Sequence, residues 1–159
     1  MMESNNNDFL ARQHPAHHPP IDRHNQPIII FLTVCSYQRR KVFAEEQVHS
    51  ALREAWVSSK HWNVGRYVLM PDHIHLFCSP AMRDAESVAK WVTYWKRAVS
   101  RSLPDFKSIW QRDCWDTQLR THESYSEKWA YVRNNPVRAG LVENADDWPF
   151  QGELNSLRW

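Results

Sequence analysis

The sequence predicts an α+β domain on the ferredoxin-like, split βαβ plan: an antiparallel sheet of about four to five strands with one more helix on the C-terminal side. Three observations carry this. Short runs of β-branched and aromatic residues alternate with longer stretches of helical period. Two of those runs flank the turn signal Met70-Pro71-Asp72, which makes them a hairpin. The resulting order is β-α-β-β-α-β-α, and 159 residues suit one such domain with tails.

Residues 1–26 carry His14, His17, His18 and His24 among Asn, Pro and polar residues. With little apolar periodicity to offset the entropy of ordering, they are read as a disordered arm. The domain is expected over residues 27–150 and a short tail over 151–159. "IIIFLTVC", Ile28 to Cys35, is a continuous apolar run of strand length, as a strand buried on both faces requires. Val48, Leu52 and Trp56 then fall four apart on one helical stripe, with Glu45 and Glu46 in the first turn where the helix dipole favours them. "WNVGRYVLM" and "HIHLFC" are the two hairpin strands. A second helix is expected from Asp84 to Arg101. Val88, Val92, Trp95 and Val99 share one of its faces, and Lys90, Tyr94, Arg97 and Arg101 share the opposite one. Cys114, Thr117 and Leu119 support a fourth strand. "HESYSEKWAYVRNNPVRAGLV" reads as a third helix, ending near Asn135 because the residue before Pro136 disfavours the helical region.

Composition narrows the function classes. Twenty Lys and Arg against eighteen Asp and Glu leave a formal charge of +2, so a nucleic-acid surface would have to come from local placement of cations. Cys35, Cys78 and Cys114 are odd in number and lack a CxxC spacing, which suits neither a disulfide scaffold nor a zinc ribbon. No apolar run approaches a membrane span, and the N-terminus lacks the features of a secretion signal. A cytoplasmic location is therefore expected.

Strand alternation puts His73, His75 and Phe77 on one face and Ile74, Leu76 and Cys78 on the other, with the two histidines about 7 Å apart at Cα. Two imidazoles this close could converge on one cation, but so short a motif is more often a pair of structural or surface histidines. On the third helix Tyr125, Trp129 and Val132 form the buried stripe, which leaves Tyr131 on a polar flank. Asn135 follows four residues later on the same side, and Lys128 precedes by three. Tyr131 and Asn135 read either as a chemical pair or as a surface aromatic and a helix cap.

"YVLMPDHIHLF", then "IWQRDCWDTQLR", then "YVRNNPVRAGLV" with "DDWPF" resemble, in this order, the REP-associated tyrosine transposases, a branch of the single-tyrosine HUH transposases of insertion sequences. The likeness spans about Ile28 to Phe150. It implies an HUH-type fold with the tyrosine on a C-terminal helix. It also implies His73, His75 and Asn135 as ligands of Mg2+ or Mn2+, and Tyr131 as the nucleophile forming a 5′-phosphotyrosine. The implied substrate is single-stranded DNA carrying hairpins, handled by a monomer or a homodimer. Where such patterns often have Asn, this chain has Asp72. Lys90, Tyr94, Arg97, Arg101, Arg112, Arg120 and Lys128 are candidate DNA contacts. Two other readings stay open. One is a catalytically silent, domesticated ferredoxin-like nucleic-acid-binding protein, in which Tyr131 would have no role. The other is a zinc site joining the histidines to Cys35 or Cys114.

Overall fold

Strand β1 (Ile30–Ser36) is buried along all seven residues, as its unbroken apolar run requires of a central strand. In the computed structural model, which describes residues 20, 28–106, 108–120 and 122–158, it is followed by α1 (Glu46–Ser58), β2 (Trp62–Leu69) and β3 (His73–Pro80). Next come α2 (Val88–Ser102), β4 (Trp110–Gln118), α3 (His122–Arg133), the four-residue α4 (Asn135–Arg138) and β5 (Gln151–Glu153). The arm expected over residues 1–26 lies outside the described residues except for Pro20, which is exposed.

The sheet order is β4-β1-β3-β2-β5 with every neighbouring pair antiparallel. Its first four strands reproduce the split βαβ plan. The segment read as a tail supplies the fifth strand, which pairs Gly152 with Tyr67.

Strand alternation gives the sheet two unlike faces. On one, Val48, Leu52 and Trp56 of α1 and Trp91, Trp95 and Val99 of α2 pack on Leu32, Val34, Ile74 and Leu76. Trp91 and Trp95 are wholly buried; truncating either to Ala would cost about 3–5 kcal/mol. On the other face, Tyr125 and Val132 of α3, with Trp148, cover Phe31, Val68 and Phe77. Trp148 Nε1 donates to the Leu69 carbonyl at 2.9 Å, and Arg66 lies over the rings of Tyr125 and Trp129 at 5.6 and 5.5 Å.

Two helix boundaries depart from expectation. α2 begins at Val88 rather than Asp84, because the Ser87 hydroxyl caps it by accepting from the Lys90 N–H. α3 ends at Arg133, and Asn135 belongs to α4 beyond a break at Asn134. Pro136 sits in the first turn of α4, where a missing N–H costs nothing, so it starts a short helix instead of ending a long one.

Candidate active site

The face that carries α3 is only partly covered by it. The Tyr125 and Trp129 rings rest on Phe77 at 4.9 and 6.3 Å, and Lys128 Nζ stands 4.9 Å above the Phe31 ring. Beyond this row the sheet is open. Thr33 faces His75 on one side and Trp115 on the other, and Cys35 faces His73. Together with Arg39 and Gln111 these residues line a cleft of about 500 Å3, walled by strands and the Tyr37–Arg39 turn.

The two imidazoles lie with centroids 4.7 Å apart, and each is held at Nδ1. His73 Nδ1 donates to Asp72 Oδ1 at 2.7 Å, and His75 Nδ1 shares a hydrogen bond with Thr33 Oγ1 at 2.9 Å while its ring stacks on Phe31. Engaging Nδ1 fixes each ring and leaves Nε2 as the atom that can take a cation. Burial lowers the proton affinity of His73, and Asp72 restores part of it. Burial lowers His75 much further, helped by His73, Lys128, Arg39 and Arg138. Both rings are therefore neutral at neutral pH, the form in which imidazole binds a metal. Burial works to raise the Asp72 carboxyl, but hydrogen bonds from His73 and Arg39 outweigh it, so its proton affinity falls below the usual value.

Arg39 gave no sign of itself in the sequence. Its Nε donates to Asp72 Oδ2 at 2.9 Å and its Nη1 to the Cys35 sulfur at 3.2 Å, which braces the wall of the site. It follows β1 in a polar stretch, and its partner is 33 residues away, so no local pattern marks it.

Tyr131 is half exposed, and the Arg138 guanidinium stacks on its ring with 3.8 Å between carbon and centroid. Arg138 also donates to the Tyr131 carbonyl at 2.6 Å and to Asn135 Oδ1. Tyr131, Asn135 and Arg138 thus form one cluster, and His73 and His75 another. Lys128 and Arg138 join the two electrostatically, since both act on His75.

The remaining candidates divide between the two faces. Lys90, Tyr94, Arg97 and Arg101 line a groove along α2, and Arg112 shares a second groove with Arg97 and Arg101. These lie on the side of the sheet away from the histidines. Arg120 is exposed just past β4, and Lys128 sits half-buried over Phe31.

The described residues around the histidines do not make a structural zinc site. Among the described residues no three His, Cys, Asp or Glu side chains converge on one point. Cys78 and Cys114 lie in the core of the opposite face, and burial raises the Cys35 thiol away from the thiolate that zinc needs. Two neutral imidazoles with an amide oxygen would leave positions for phosphate and water oxygens. Asn135 Oδ1 already accepts from Arg138, but a carbonyl oxygen has a second lone pair.

Comparison with known proteins fits this arrangement. The family described as "Transposase IS200 like" matches residues 26–133. A REP-associated tyrosine transposase of Escherichia coli is 28% identical over 126 residues, covering 76% of this chain and 73% of that one. A putative REP-associated tyrosine transposase of Haemophilus influenzae is 25% identical over 137 residues, covering 77% of each. Among solved structures, a REP-associated tyrosine transposase bound to a REP hairpin superposes with TM-score 0.67 at 22% identity, covering 84% of this chain and 82% of that one. A putative transposase from Deinococcus radiodurans gives 0.50 at 16% identity, covering 72% and 95%. At these identities the structural likenesses speak for the fold. The family match extends over well more than half of the sequence and contains the histidine pair and Tyr131: the chain belongs to the IS200-like transposase family.

Proposed function

We propose that this protein cuts and rejoins single-stranded DNA bearing REP-like hairpins, using Tyr131 as the nucleophile and Mg2+ or Mn2+ as cofactor. The observation that carries the reading is the preparation of the histidines: two neutral rings, fixed at Nδ1, beside a helix that presents a half-exposed tyrosine. The relatives named as REP-associated transposases, one of them bound to a REP hairpin, support the substrate.

His73 and His75, with Asn135, would hold the metal, which when bound polarises the scissile phosphate and stabilises the charge that develops there. The chain's own groups do the rest. The Tyr131 phenol gives up its proton as its oxygen attacks phosphorus, the bond to the 3′ oxygen breaks, and that oxygen leaves as a free 3′-OH. The phosphotyrosine ester retains the energy of the broken linkage, so a 3′-OH can later displace the phenol and reseal DNA without ATP. Arg138 holds the attacking ring in place.

The basic groove of α2 and the histidine cleft lie on opposite faces but meet at the β4 edge, where Gln111 lines both. A hairpin stem seated by Arg97, Arg101 and Arg112 would pass its single-stranded foot around that edge to His73 and His75. Denaturing gels of the protein incubated with a hairpin oligonucleotide in Mg2+ or Mn2+ test the reading. Wild type is expected to give a covalent adduct and Tyr131→Phe none. An adduct with Tyr131→Phe would overturn the assignment, and binding without cleavage by wild type would favour a silent DNA-binding module.

A further inference from the structure

The cleft is larger than a cation and one phosphate require, and its far side has different chemistry. Trp115 stands in the same cross-strand row as Thr33 and His75, two strand spacings or about 10 Å from the histidine. At the mouth, Tyr37 is 50% exposed, Gln38 Nε2 donates to its hydroxyl at 3.4 Å, and Gln38 and Gln111 line the same space.

The turn carrying Tyr37 and Gln38 is strained and braced. Gln38 and Arg39 both take left-handed backbone angles, with φ of 54° and 57°. Such angles persist in non-glycine residues where surrounding contacts enforce them. Here Arg39 is tied to Asp72 and Cys35, the Tyr37 N–H to the Ile109 carbonyl at 2.7 Å, and the Ser36 hydroxyl to the Arg40 carbonyl at 2.6 Å.

The cation in this wall, Arg39, is already paired with Asp72, so the far side is poorly equipped for a second phosphate. Aromatic rings with amide donors and acceptors suit an unstacked base instead. We propose that the cleft is a nucleobase pocket: it takes one unpaired base next to the phosphodiester held at His73 and His75, stacks it against Trp115 and Tyr37, and reads its edge through Gln111 and Gln38. The pocket thereby selects the nucleotide at the cut. This rests on the transposase reading, which supplies the single strand.

The test uses the full chain. The cut is first mapped with wild type in Mn2+. Binding of the same hairpin oligonucleotide is then measured in chelator, with an abasic site moved through the positions flanking the cut. One position is expected to weaken binding about tenfold when its base is removed. Tyr37→Ala, an exposed change that spares the fold, is expected to shrink that ratio severalfold. Gln111→Ala is expected to change which base is preferred there. If wild type cleaves but no flanking position shows a base-dependent loss, or if both variants keep the wild-type ratio and preference, the pocket is refuted and the transposase stands. A chain that neither binds nor cleaves hairpin oligonucleotides refutes both.

Discussion

Arg138 holds Tyr131 from two directions, with its guanidinium against the ring face and an N–H on the carbonyl of the same residue. In the proposed reaction, attack on phosphorus needs the phenol oxygen aligned with the leaving oxygen, and small misplacements are costly in rate. Arg138→Ala is expected to slow adduct formation by about ten- to a hundredfold. Arg138→Lys should recover only part, because an ammonium keeps the charge but loses the planar stack. Single-turnover rates of adduct formation decide it, and unchanged rates in Arg138→Ala would remove the positioning role.

A side chain at Gly152 has no room. A Cβ there would lie 2.8 Å from the Tyr67 hydroxyl and 3.1 Å from its ring, and that hydroxyl is pinned by His49 at 2.7 Å and Arg53 at 3.1 Å. Gly152→Ala is expected to lower stability by about 1–3 kcal/mol. Combining it with Tyr67→Phe should cost less than the sum of the two, since the nearest clash goes with the oxygen. Urea unfolding of the two single variants and the double variant measures this; strict additivity would show that β5 yields without strain.

The same network makes stability depend on pH. Burial lowers the proton affinity of His49, Arg53 lowers it further, and Glu46 opposes them. Arg53 donates to the Tyr67 oxygen, which leaves the phenol proton for the neutral His49 Nε2; protonation would make that nitrogen a donor and strand the phenol. The folded value lies below the unfolded 6.5, so the contribution is complete above that pH and is lost as pH falls from 6.5 through the folded value. Unfolding free energy should therefore fall as pH is lowered below about 6.5. His49→Gln should flatten the slope, and an equal slope in that variant would assign the effect elsewhere.

Arg66 bridges β5 and α3, paired with Glu153 at 2.8 Å and lying over Tyr125 and Trp129. The ion pair is part exposed and worth little, whereas the two ring contacts are worth about 0.5–1 kcal/mol each. Arg66→Ala should thus cost about 1–2 kcal/mol and Glu153→Ala under about 0.5 kcal/mol. Similar midpoints for both variants in denaturant would contradict that ranking.

Most of the fold was legible because its signals are local. The hairpin turn, the period-two run around His73, and the stripe of Val88, Val92, Trp95 and Val99 each fit within one element. What was not legible is tertiary or very short. β5 has three residues and no strand signature, and it fits the β2 edge because Gly152 leaves room for the Tyr67 side chain. Arg39 and Asp72 meet only after β1 and β3 have paired. Treating Pro136 as a stop hid α4, and with it the three-residue spacing that brings Arg138 to Asn135.

The bond from Trp148 to the Leu69 carbonyl spans 79 residues, and the Arg66 to Glu153 contact spans 87. The helix bearing Tyr131 covers only part of its sheet face, whereas α1 and α2 bury Trp56, Trp91 and Trp95 against the other, and the element with fewer buried apolar contacts opens at lower cost. The helix bearing Tyr131 is therefore expected to be the first large element to open. Its amides should exchange with deuterated solvent well ahead of those in α2, and fragments ending before residue 148 should keep a folded α1/α2 layer with a loosened Tyr131 helix.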